Sequence, residues 1–398
     1  MQIILQLIAS FLLALSISLY AVPIIVNVVH KLNLFDKPTE RSAAIKPVPT
    51  LGGIAIFISF VLASTIGMSG YEISELVYII VAAVLIFFVG LKDDVVSLSP
   101  RKKIIAEIIA ASILIFLADI RFTNLHGLLG FWEIGIVPSF LITCFIFILV
   151  INAFNLMDGI DGLAAGLSML AAIVFGGWFF ISSNYSYAIL SFSLVGAIAG
   201  FFCYNVYGKK NKIFMGDTGS LLLGTIISVL MIRFNELNID QTQPYAIASS
   251  PGVSLGIIFY PIFDTVRVTL IRIINRRSPF SADKNHLHHR LLLLGNSHKK
   301  STYLIIGMNV IFILLVYIIR DHGPLRLMVY TTFIGSVLFM IPAFIIRRKK
   351  LIKKDDPFQQ LLIPRENNEI SRNKRHQNQK PEFQTMKYQT FFQKFNLW

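Results

Sequence analysis

Long apolar runs separated by short polar segments make up most of the chain from residue 3 to residue 346. A helix needs about 17 to 25 predominantly apolar residues to cross the hydrocarbon core of a bilayer. Eleven runs are candidates: 3–29, 51–69, 77–91, 104–118, 135–151, 163–181, 187–205, 219–233, 253–271, 302–319 and 327–346. The pattern therefore predicts an all-α, polytopic integral membrane protein with eleven transmembrane helices.

The composition supports a membrane environment and excludes several other classes. The 398 residues are 55% hydrophobic and only 15% charged, whereas a soluble domain is about 25% charged. The net charge of +14 does not indicate nucleic acid, because nucleic-acid-binding domains concentrate basic charge on a polar surface. Cys144 and Cys203 lie in apolar runs without ligand-like spacing, so neither a disulfide framework nor a zinc site is indicated.

Basic residues are distributed unevenly between the two sides of the predicted bundle. Alternate loops and the C-terminal tail hold 31 of the 36 Lys and Arg residues, and an excess of basic residues marks the cytoplasmic side. These loops are 30–50, 92–103, 152–162, 206–218 and 272–301. We expect a transmembrane domain over 1–346 with its N-terminus outside, and a basic, largely disordered cytoplasmic tail over 347–398.

Carboxylates gather at the same predicted cytoplasmic helix ends. They are Asp93, Asp94, Asp158, Asp161, Asp217, Asp264 and Asp283. A carboxylate near a membrane is costly and indicates function by default, although each one also suits a helix cap or an ion pair. Seven carboxylates on one face are harder to attribute to capping alone.

Two of these segments suit a metal ion or a phosphate. The adjacent Asp93 and Asp94 precede a basic cluster that ends at Lys103; hard oxygen ligands suit Mg²⁺ and an ammonium suits phosphate. Asp217 stands at a predicted helix start, where capping and phosphate binding are both expected. Phe214, close by, suits either the core or a face on which a nucleobase stacks.

Polar residues recur every third position through the end of the fifth run, at Asn152, Asn155, Asp158 and Asp161. On a continuous helix their directions would drift by about 60° per step. Glycines within the segment permit a break, which would gather the four side chains into a ring of oxygens. The alternative is a polar turn with no further role.

Three histidines and an arginine follow the ninth run, at His286, His288, His289 and Arg290. No cysteine and no Glu-x-x-His pattern supports a zinc enzyme. A cluster that binds phosphate or forms hydrogen bonds beside arginines is the favoured interpretation.

Taken together, these segments resemble the polyprenyl-phosphate N-acetylhexosamine-1-phosphate transferase family, from about Asp36 to Leu294. The resemblance rests on Asp36-Lys-Pro with Arg41, Lys46 to Gly53, Asp93-Asp94, Asn152 to Gly162, Phe214-Met-Gly-Asp217, and Asp283 with His286 to Arg290. It implies ten or eleven transmembrane helices, a cytoplasmic active site and usually a homodimer. The implied reaction transfers a sugar 1-phosphate from a UDP-sugar to polyprenyl phosphate at the cytoplasmic membrane, releases UMP, requires Mg²⁺ (Mn²⁺ being an alternative), and starts cell-envelope glycan synthesis.

The resemblance also implies roles for individual residues. Asp217 is the leading metal ligand, with Asn155 as the second, and Asp93 or Asp94 would accept the proton of the lipid phosphate or orient it. A double-displacement mechanism stays open. Lys103 and Lys46 would hold phosphate, and Phe214 would stack on uracil. The expected substrate contacts are completed by Asn152, Asp158, Asp161, His286, His288, His289 and Arg290.

The form of the histidine motif, His-Leu-His-His-Arg, resembles the N-acetylhexosamine branch and favours a UDP-N-acetylglucosamine donor. Ala44 and Thr50 depart from that branch, so the phospho-N-acetylmuramoyl-pentapeptide transferases of peptidoglycan synthesis are the alternative within the family. A secondary transporter would instead need ionisable residues near the bilayer midplane and repeated halves. A structural scaffold would explain glycine spacings but not the polar motifs.

Overall fold

The computed structural model describes residues 2–32, 48–70, 74–276, 278 and 286–354. Thirteen α-helices and one hairpin occupy these ranges. The elements in chain order are α1 Gln2–Leu32, α2 Gly52–Gly67, α3 Ser74–Val96, α4 Pro100–Leu117, β1 Asn124–Leu128, β2 Phe131–Glu133, α5 Ile136–Met157, α6 Leu163–Ile181, α7 Tyr185–Tyr207, α8 Gly216–Leu237, α9 Ser250–Ile257, α10 Phe259–Ile274, α11 Leu287–Leu293, α12 His298–Ile318 and α13 Pro324–Lys354.

The polytopic helical architecture is confirmed in its coarse form. Among the described residues, eight helices are long and apolar enough to cross a membrane: α1, α3, α5, α6, α7, α8, α12 and the first part of α13. The predicted spans over 51–69 and 104–118 correspond to the shorter helices α2 and α4. The total of eleven crossings and their orientation stay predictions.

The apolar run over 253–271 is not one helix, so that part of the prediction is wrong. It is divided at Ile258 into α9 and α10. Pro261 has no backbone N–H, which leaves the carbonyl of Ile257 without its usual partner four residues later. The Asn309 side chain of α12 donates to that carbonyl at 3.2 Å. A proline and a side-chain donor on a neighbouring helix therefore account for the break.

A small antiparallel hairpin, β1–β2, precedes α5 and was not anticipated by the all-α expectation. Leu129 and Gly130 form its turn with φ of +53° and +84°, the left-handed values that a two-residue hairpin turn requires. The hairpin therefore depends on the backbone conformation of Leu129 and Gly130, and the periodicity of apolar residues does not predict it.

Helix α8 lies at the centre of the bundle, against α2, α3, α5 and α6. Its start is packed backbone to backbone. A Cβ on Gly53 of α2 would lie 2.2 Å from the nitrogen of Gly219, and a Cβ on Gly90 of α3 would lie 2.6 Å from the Cα of Thr218. Glycines on three helices thus allow the last turn of α3 and the first turn of α8 to meet, and this places the polar residues of both turns together.

Substitution of Gly53 tests this close approach. Gly53→Ala should destabilise the protein by about 1–3 kcal/mol, because the new methyl group meets backbone atoms that cannot rotate away. The free energy of unfolding in detergent, from a denaturant titration, measures the effect. The matched control is Gly307→Ala in α12, where no atom lies within 4 Å of the added Cβ. Equal stability of the two variants would contradict the packing argument.

Candidate active site

The ends of three helices meet at one ammonium group. Lys103, in the first turn of α4, forms salt bridges with Asp93 in the last turn of α3 and with Asp217 in the first turn of α8. The other oxygen of Asp93 accepts a hydrogen bond from the backbone N–H of Leu98, so the α3–α4 connection itself holds this carboxylate. A single cation therefore bridges two carboxylates that come from distant parts of the chain.

Asp94, next to Asp93 in the sequence, has a different environment. Its carboxylate accepts hydrogen bonds from the backbone N–H of Asp217 at 2.7 Å, from the N–H of Thr218 at 2.9 Å and from the Thr218 hydroxyl. The two N–H groups belong to the first turn of α8, where backbone N–H groups have no acceptor within their own helix. Gly216 has φ of +72°, and a Cβ on it would lie 2.6 Å from the Asp94 carboxylate.

The capping role expected of Asp217 is thus performed by Asp94, from another helix. Asp217 lies inside the first turn of α8, so its own side chain points away from the capped amides and is available to other partners. One oxygen contacts Lys103, and the other accepts from the Asn155 amide at 2.8 Å.

The four polar residues of the 152–162 segment do not form a ring, so that prediction is wrong. Helix α5 continues to Met157, and the chain then turns into α6 through Gly162 with φ of +77°. Asn152 donates to Glu107 at 2.7 Å, and Asn155 donates to Asp217 and to Ser220. Because the helix persists, the side chains diverge to separate partners as the 60° drift requires.

The two aspartates of this turn also separate. Asp161 is paired with Lys212 at 2.5 Å, and its carbonyl accepts from Thr302 of α12 at 2.7 Å. Asp158 stays near the acidic group: burial raises its pKa well above the usual range, and the charges of Asp217 and Asp94 raise it further. Asp158 therefore adds no fixed negative charge here, whereas Asp93 and Asp217 together exceed the charge of the one Lys103 ammonium, and this excess favours a further bound cation.

Phe214 lies on the segment that leads into α8 and is half-buried. Its N–H donates to the Pro49 carbonyl at 2.7 Å, and its own carbonyl accepts from Gly52 at 2.9 Å. The Lys212 ammonium is 5.9 Å from the ring centroid. Phe214 is therefore neither fully buried nor fully exposed, and its stacking role stays a prediction. Lys46, predicted to act nearby, lies outside the described residues.

The histidine segment is fixed by Asp264, a fully buried residue of α10. Its carboxylate contacts His286 Nδ1 at 2.9 Å and Arg267 Nη2 at 2.6 Å, and it accepts from the Leu287 N–H at 3.1 Å. This N–H belongs to the first turn of α11, so Asp264 caps α11 as Asp94 caps α8. The imidazole rings of His286 and His288 lie nearly parallel, with centroids 5.5 Å apart.

His288 is packed against the turn that follows α5. A Cβ on Gly159 would lie 2.7 Å from His288 Nε2, so a larger residue here would have to displace the His288 ring. Burial lowers the pKa of His288 to about 3, and the ring is therefore neutral at physiological pH. His289 and Arg290 are half-buried on the same short helix.

A cavity of about 570 Å³ joins these groups. Its polar lining residues are Lys103, Asn152, Asn155, Thr265, Thr269, Arg272, His286, His288 and His289. Its apolar lining includes Ile104, Phe145, Ile148, Leu149 and Leu156. Asp93 and Asp217 do not line it but contact the lining residue Lys103. Phe214, Asp158, Asp161 and Arg290 do not line this cavity, so the structure brings together about half of the residues selected from the sequence.

Several residues at the site have no role assigned to them by the sequence analysis. Glu107 is buried on α4 one turn after Lys103, Asp264 fixes the histidines, and Arg272 lines the cavity. Lys212, which pairs with Asp161, enters the sequence analysis only as one of the basic residues of the 206–218 loop. An acid inside an apolar run, as at Glu107, is a usable signal because such a residue is costly in a membrane. The partner of Asp264 lies 22 residues away, and that pairing is visible only in the fold.

The donor set at the helix junction suits a hard cation. Among the described residues, no three His, Cys, Asp or Glu side chains are arranged so that they could hold a metal ion. Mg²⁺ commonly takes only one or two carboxylates, together with water and substrate phosphates. Asp93 and Asp217 already converge on one cation. The amide nitrogen of Asn155 is committed to Asp217 and Ser220, which leaves its carbonyl oxygen for a ligand.

Comparison with known proteins gives consistent similarities. The model of glycosyl transferase family 4 matches residues 76–235. A probable undecaprenyl-phosphate N-acetylglucosaminyl 1-phosphate transferase of Bacillus subtilis (strain 168) is 30% identical over 340 residues, which are 85% of this chain and 91% of the relative. The undecaprenyl-phosphate alpha-N-acetylglucosaminyl 1-phosphate transferase of Salmonella typhi is 31% identical over 283 residues, or 70% and 74% of the two chains. The Escherichia coli (strain K12) protein of the same description is 30% identical over the same length.

Substitution of Asp94 tests its role as the cap of α8. Asp94→Ala should lower the free energy of unfolding by about 1–3 kcal/mol, because it leaves buried N–H groups of Asp217 and Thr218 without an acceptor. A denaturant titration in detergent measures this. The control is Asp240→Ala, which removes an exposed carboxylate from the loop after α8 and should change stability by no more than about 0.5 kcal/mol. A stable Asp94→Ala protein would show that α8 does not need this cap.

Proposed function

Because the chain belongs to glycosyl transferase family 4, we propose that it transfers N-acetylglucosamine 1-phosphate from UDP-N-acetylglucosamine to undecaprenyl phosphate and releases UMP. The observation that carries the proposal is the Lys103 ammonium held between Asp93 and Asp217. Lys103 lines a cavity that combines polar lining residues with apolar ones, among them Ile148 and Leu149. Such a site suits a molecule with a phosphate at one end and a long hydrocarbon at the other.

The reaction exchanges one phosphoanhydride for another. An oxygen of the lipid phosphate attacks the phosphorus that carries the sugar, the bond from that phosphorus to the bridging oxygen breaks, and UMP departs with that oxygen and its electron pair. Bond energies nearly balance, so the protein has to align two anions and offset their repulsion. Basic groups and a metal ion at one place meet both needs.

Lys103 is the proposed contact for the lipid phosphate. In the structure its ammonium is bound by Asp93 and Asp217, and an arriving phosphate competes with these carboxylates for it. Ile148 and Leu149 of α5 supply part of the apolar lining that would take the first isoprene units. Asp93, which stands beside this ammonium, is the proposed group that orients the attacking phosphate, whereas Asp94 acts through the start of α8.

Asp217 and the carbonyl oxygen of Asn155 are the proposed protein ligands of Mg²⁺, with Mn²⁺ as the alternative ion. Bound there, the ion would neutralise charge on the diphosphate oxygens. Asp93 lies on the other side of Lys103 and could supply a further oxygen. This arrangement is supported by the surplus of carboxylates around Lys103 and by the hard-oxygen character of the donors.

The donor nucleotide-sugar is proposed to contact the histidine helix and Phe214. His286, His288 and His289 line the cavity and Arg290 follows them on α11, so they suit the phosphates and the sugar. Phe214 would stack on uracil, and Asp158, Asp161, Asn152 and Lys46 complete the proposed substrate contacts. The names of the relatives support N-acetylglucosamine as the sugar.

The proposal includes a cellular setting. The polar loops with their basic residues would face the cytoplasm, where nucleotide-sugars are found, and the protein would lie in the cytoplasmic membrane with its N-terminus outside. A homodimer is proposed from the family alone. The 347–398 tail is not assigned to the catalytic reaction.

Lipid labelling with a panel of donors tests the proposed function. Membranes from cells that express the chain are supplied with undecaprenyl phosphate and, in separate reactions, radiolabelled UDP-N-acetylglucosamine, UDP-N-acetylgalactosamine or UDP-N-acetylmuramoyl-pentapeptide. We expect labelled lipid from the first donor, with equimolar UMP. Labelling only from the muramoyl donor would move the chain to the peptidoglycan branch, and none from any donor would refute the transferase proposal. Membranes without the chain give the background.

Substitution of Asp217 tests the metal site. Asp217→Asn should lower kcat by at least about 100-fold. The asparagine side chain keeps the shape of Asp217 but lacks the negative charge proposed to bind the metal ion. The rate of UMP release measures this, and EDTA should abolish release from the unaltered protein until Mg²⁺ is restored. Asp321→Asn, in an exposed connection before α13, is the control. Unchanged release from Asp217→Asn would remove Asp217 from the proposed ligands.

A further inference from the structure

Glu107 is a buried acid that contacts Asn152, a lining residue of the cavity, and none of the roles proposed above involves it. It lies on α4 one turn after Lys103 and is only 1% exposed. Its Oε2 accepts a hydrogen bond from Asn152 Nδ2 at 2.7 Å, whereas its Oε1 is buried and has no hydrogen-bond partner in the described part of the chain. Burying a carboxyl group with one oxygen unbonded costs free energy of folding. Glu107 is therefore expected to contribute through its remaining contact, the hydrogen bond from Asn152.

That contact determines how the Asn152 carboxamide is oriented. Asn152 Nδ2 donates to Glu107 Oε2 and also to the Ile148 carbonyl at 2.9 Å. Both partners are acceptors, so only the amide nitrogen can face them, and a flipped amide would set oxygen against oxygen. Asn152 lines the cavity, and its carbonyl oxygen is the polar atom left to meet a ligand there.

Asn155 follows the same logic one helical turn later. Its amide nitrogen is held by Asp217 and Ser220, and residues three apart share a face of a helix. Both asparagines line the cavity, and because protein acceptors engage their amide nitrogens, their carbonyl oxygens are the groups left for a ligand. A carbonyl oxygen attracts cations and groups that donate hydrogen bonds, and it does not attract ionised phosphate.

We propose that Glu107 is a positioning residue for the transfer reaction: it locks the Asn152 carboxamide with its carbonyl oxygen toward the cavity, where it accepts a hydrogen bond from a hydroxyl or N–H group of the transferred sugar. This rests on the proposed function. Glu107 itself touches no substrate and acts only through Asn152. In its absence the amide is free to rotate and to offer a donor where an acceptor is needed.

A purely structural role predicts something different. If Glu107 served only to hold α4 against α5, its replacement by an apolar residue of similar size would matter mainly for stability. Replacing a buried charge by a well-packed apolar side chain is often neutral or stabilising. Glu107→Leu should therefore remain folded, and its defect should be in kcat.

A double-mutant cycle tests whether Glu107 acts through Asn152. UMP release is measured with UDP-N-acetylglucosamine and undecaprenyl phosphate for the unaltered protein, Glu107→Leu, Asn152→Ala and the double variant. We expect each single change to lower kcat about 10- to 100-fold. The kcat of the double variant should lie within about twofold of the kcat of the less active single variant. Losses that multiply would overturn the proposal, as would an unchanged kcat in Glu107→Leu.

The conservative variant Glu107→Gln separates orientation from charge. Its side-chain carbonyl still accepts from Asn152 Nδ2, so kcat should recover to within about threefold of the unaltered protein. A defect as large as that of Glu107→Leu would overturn the proposal, because it would assign the effect to the negative charge. Glu236→Leu is the matched control: Glu236 also holds its neighbours, the N–H and hydroxyl of Thr123, but does so at the opposite end of α8, and kcat should be unchanged.

A second readout keeps the two proposals distinguishable. The same cycle is repeated on the midpoint of thermal unfolding in detergent. Lack of UMP release by the unaltered protein would refute the proposed function. The thermal cycle would then judge the Glu107–Asn152 contact alone: coupled midpoints would support it, and additive midpoints would overturn it.

Discussion

The capping of α8 by Asp94 is the interaction on which the rest of the site depends. A helix that begins inside a membrane protein exposes N–H groups that no water can readily reach. Asp94 satisfies those of Asp217 and Thr218 from the end of α3. This fixes the first turn of α8 beside the last turn of α3, and only then do Asp217 and Asp93 fall on either side of Lys103. A contact that is structural in itself thus sets the geometry on which the proposed chemistry relies.

The site places charged groups where burial in an apolar bundle makes charge costly. Several carboxylates stand close together at the edge of an apolar bundle, and a single ammonium lies between two of them. Such a group is stable only when cations compensate it. The substrates of the proposed reaction are themselves anionic, so during turnover they compete with the carboxylates for the same cations. Lys103 lies where this competition between carboxylates and phosphates would take place. Asn152 and Asn155 add neutral acceptors nearby, whose orientation depends on what holds their amide nitrogens.

The sequence predicted the helical membrane architecture because long apolar runs leave few alternatives. It also predicted the residues that meet at Lys103, since carboxylates and lysines near a membrane are rare without a reason. It could not separate Asp93 from Asp94, because the difference depends on the direction of adjacent side chains toward another helix. The expected ring at 152–162 failed because α5 stays helical to Met157. The division of 253–271 and the role of Asp264 depend on contacts with Asn309 and His286, which local patterns do not contain.

The two sides of the cavity differ in how they are attached to the bundle. At the junction of α3 and α8, glycines bring backbone against backbone, and such contacts leave no slack for one helix to slide along the other. Helix α10 follows a break, and its Asp264 carboxylate binds the start of the histidine helix through hydrogen bonds. The two sides therefore respond differently to substitution. A side chain added at the α3–α8 junction has to displace backbone atoms, whereas a change at Asp264 removes the hydrogen bonds that hold the start of the histidine helix.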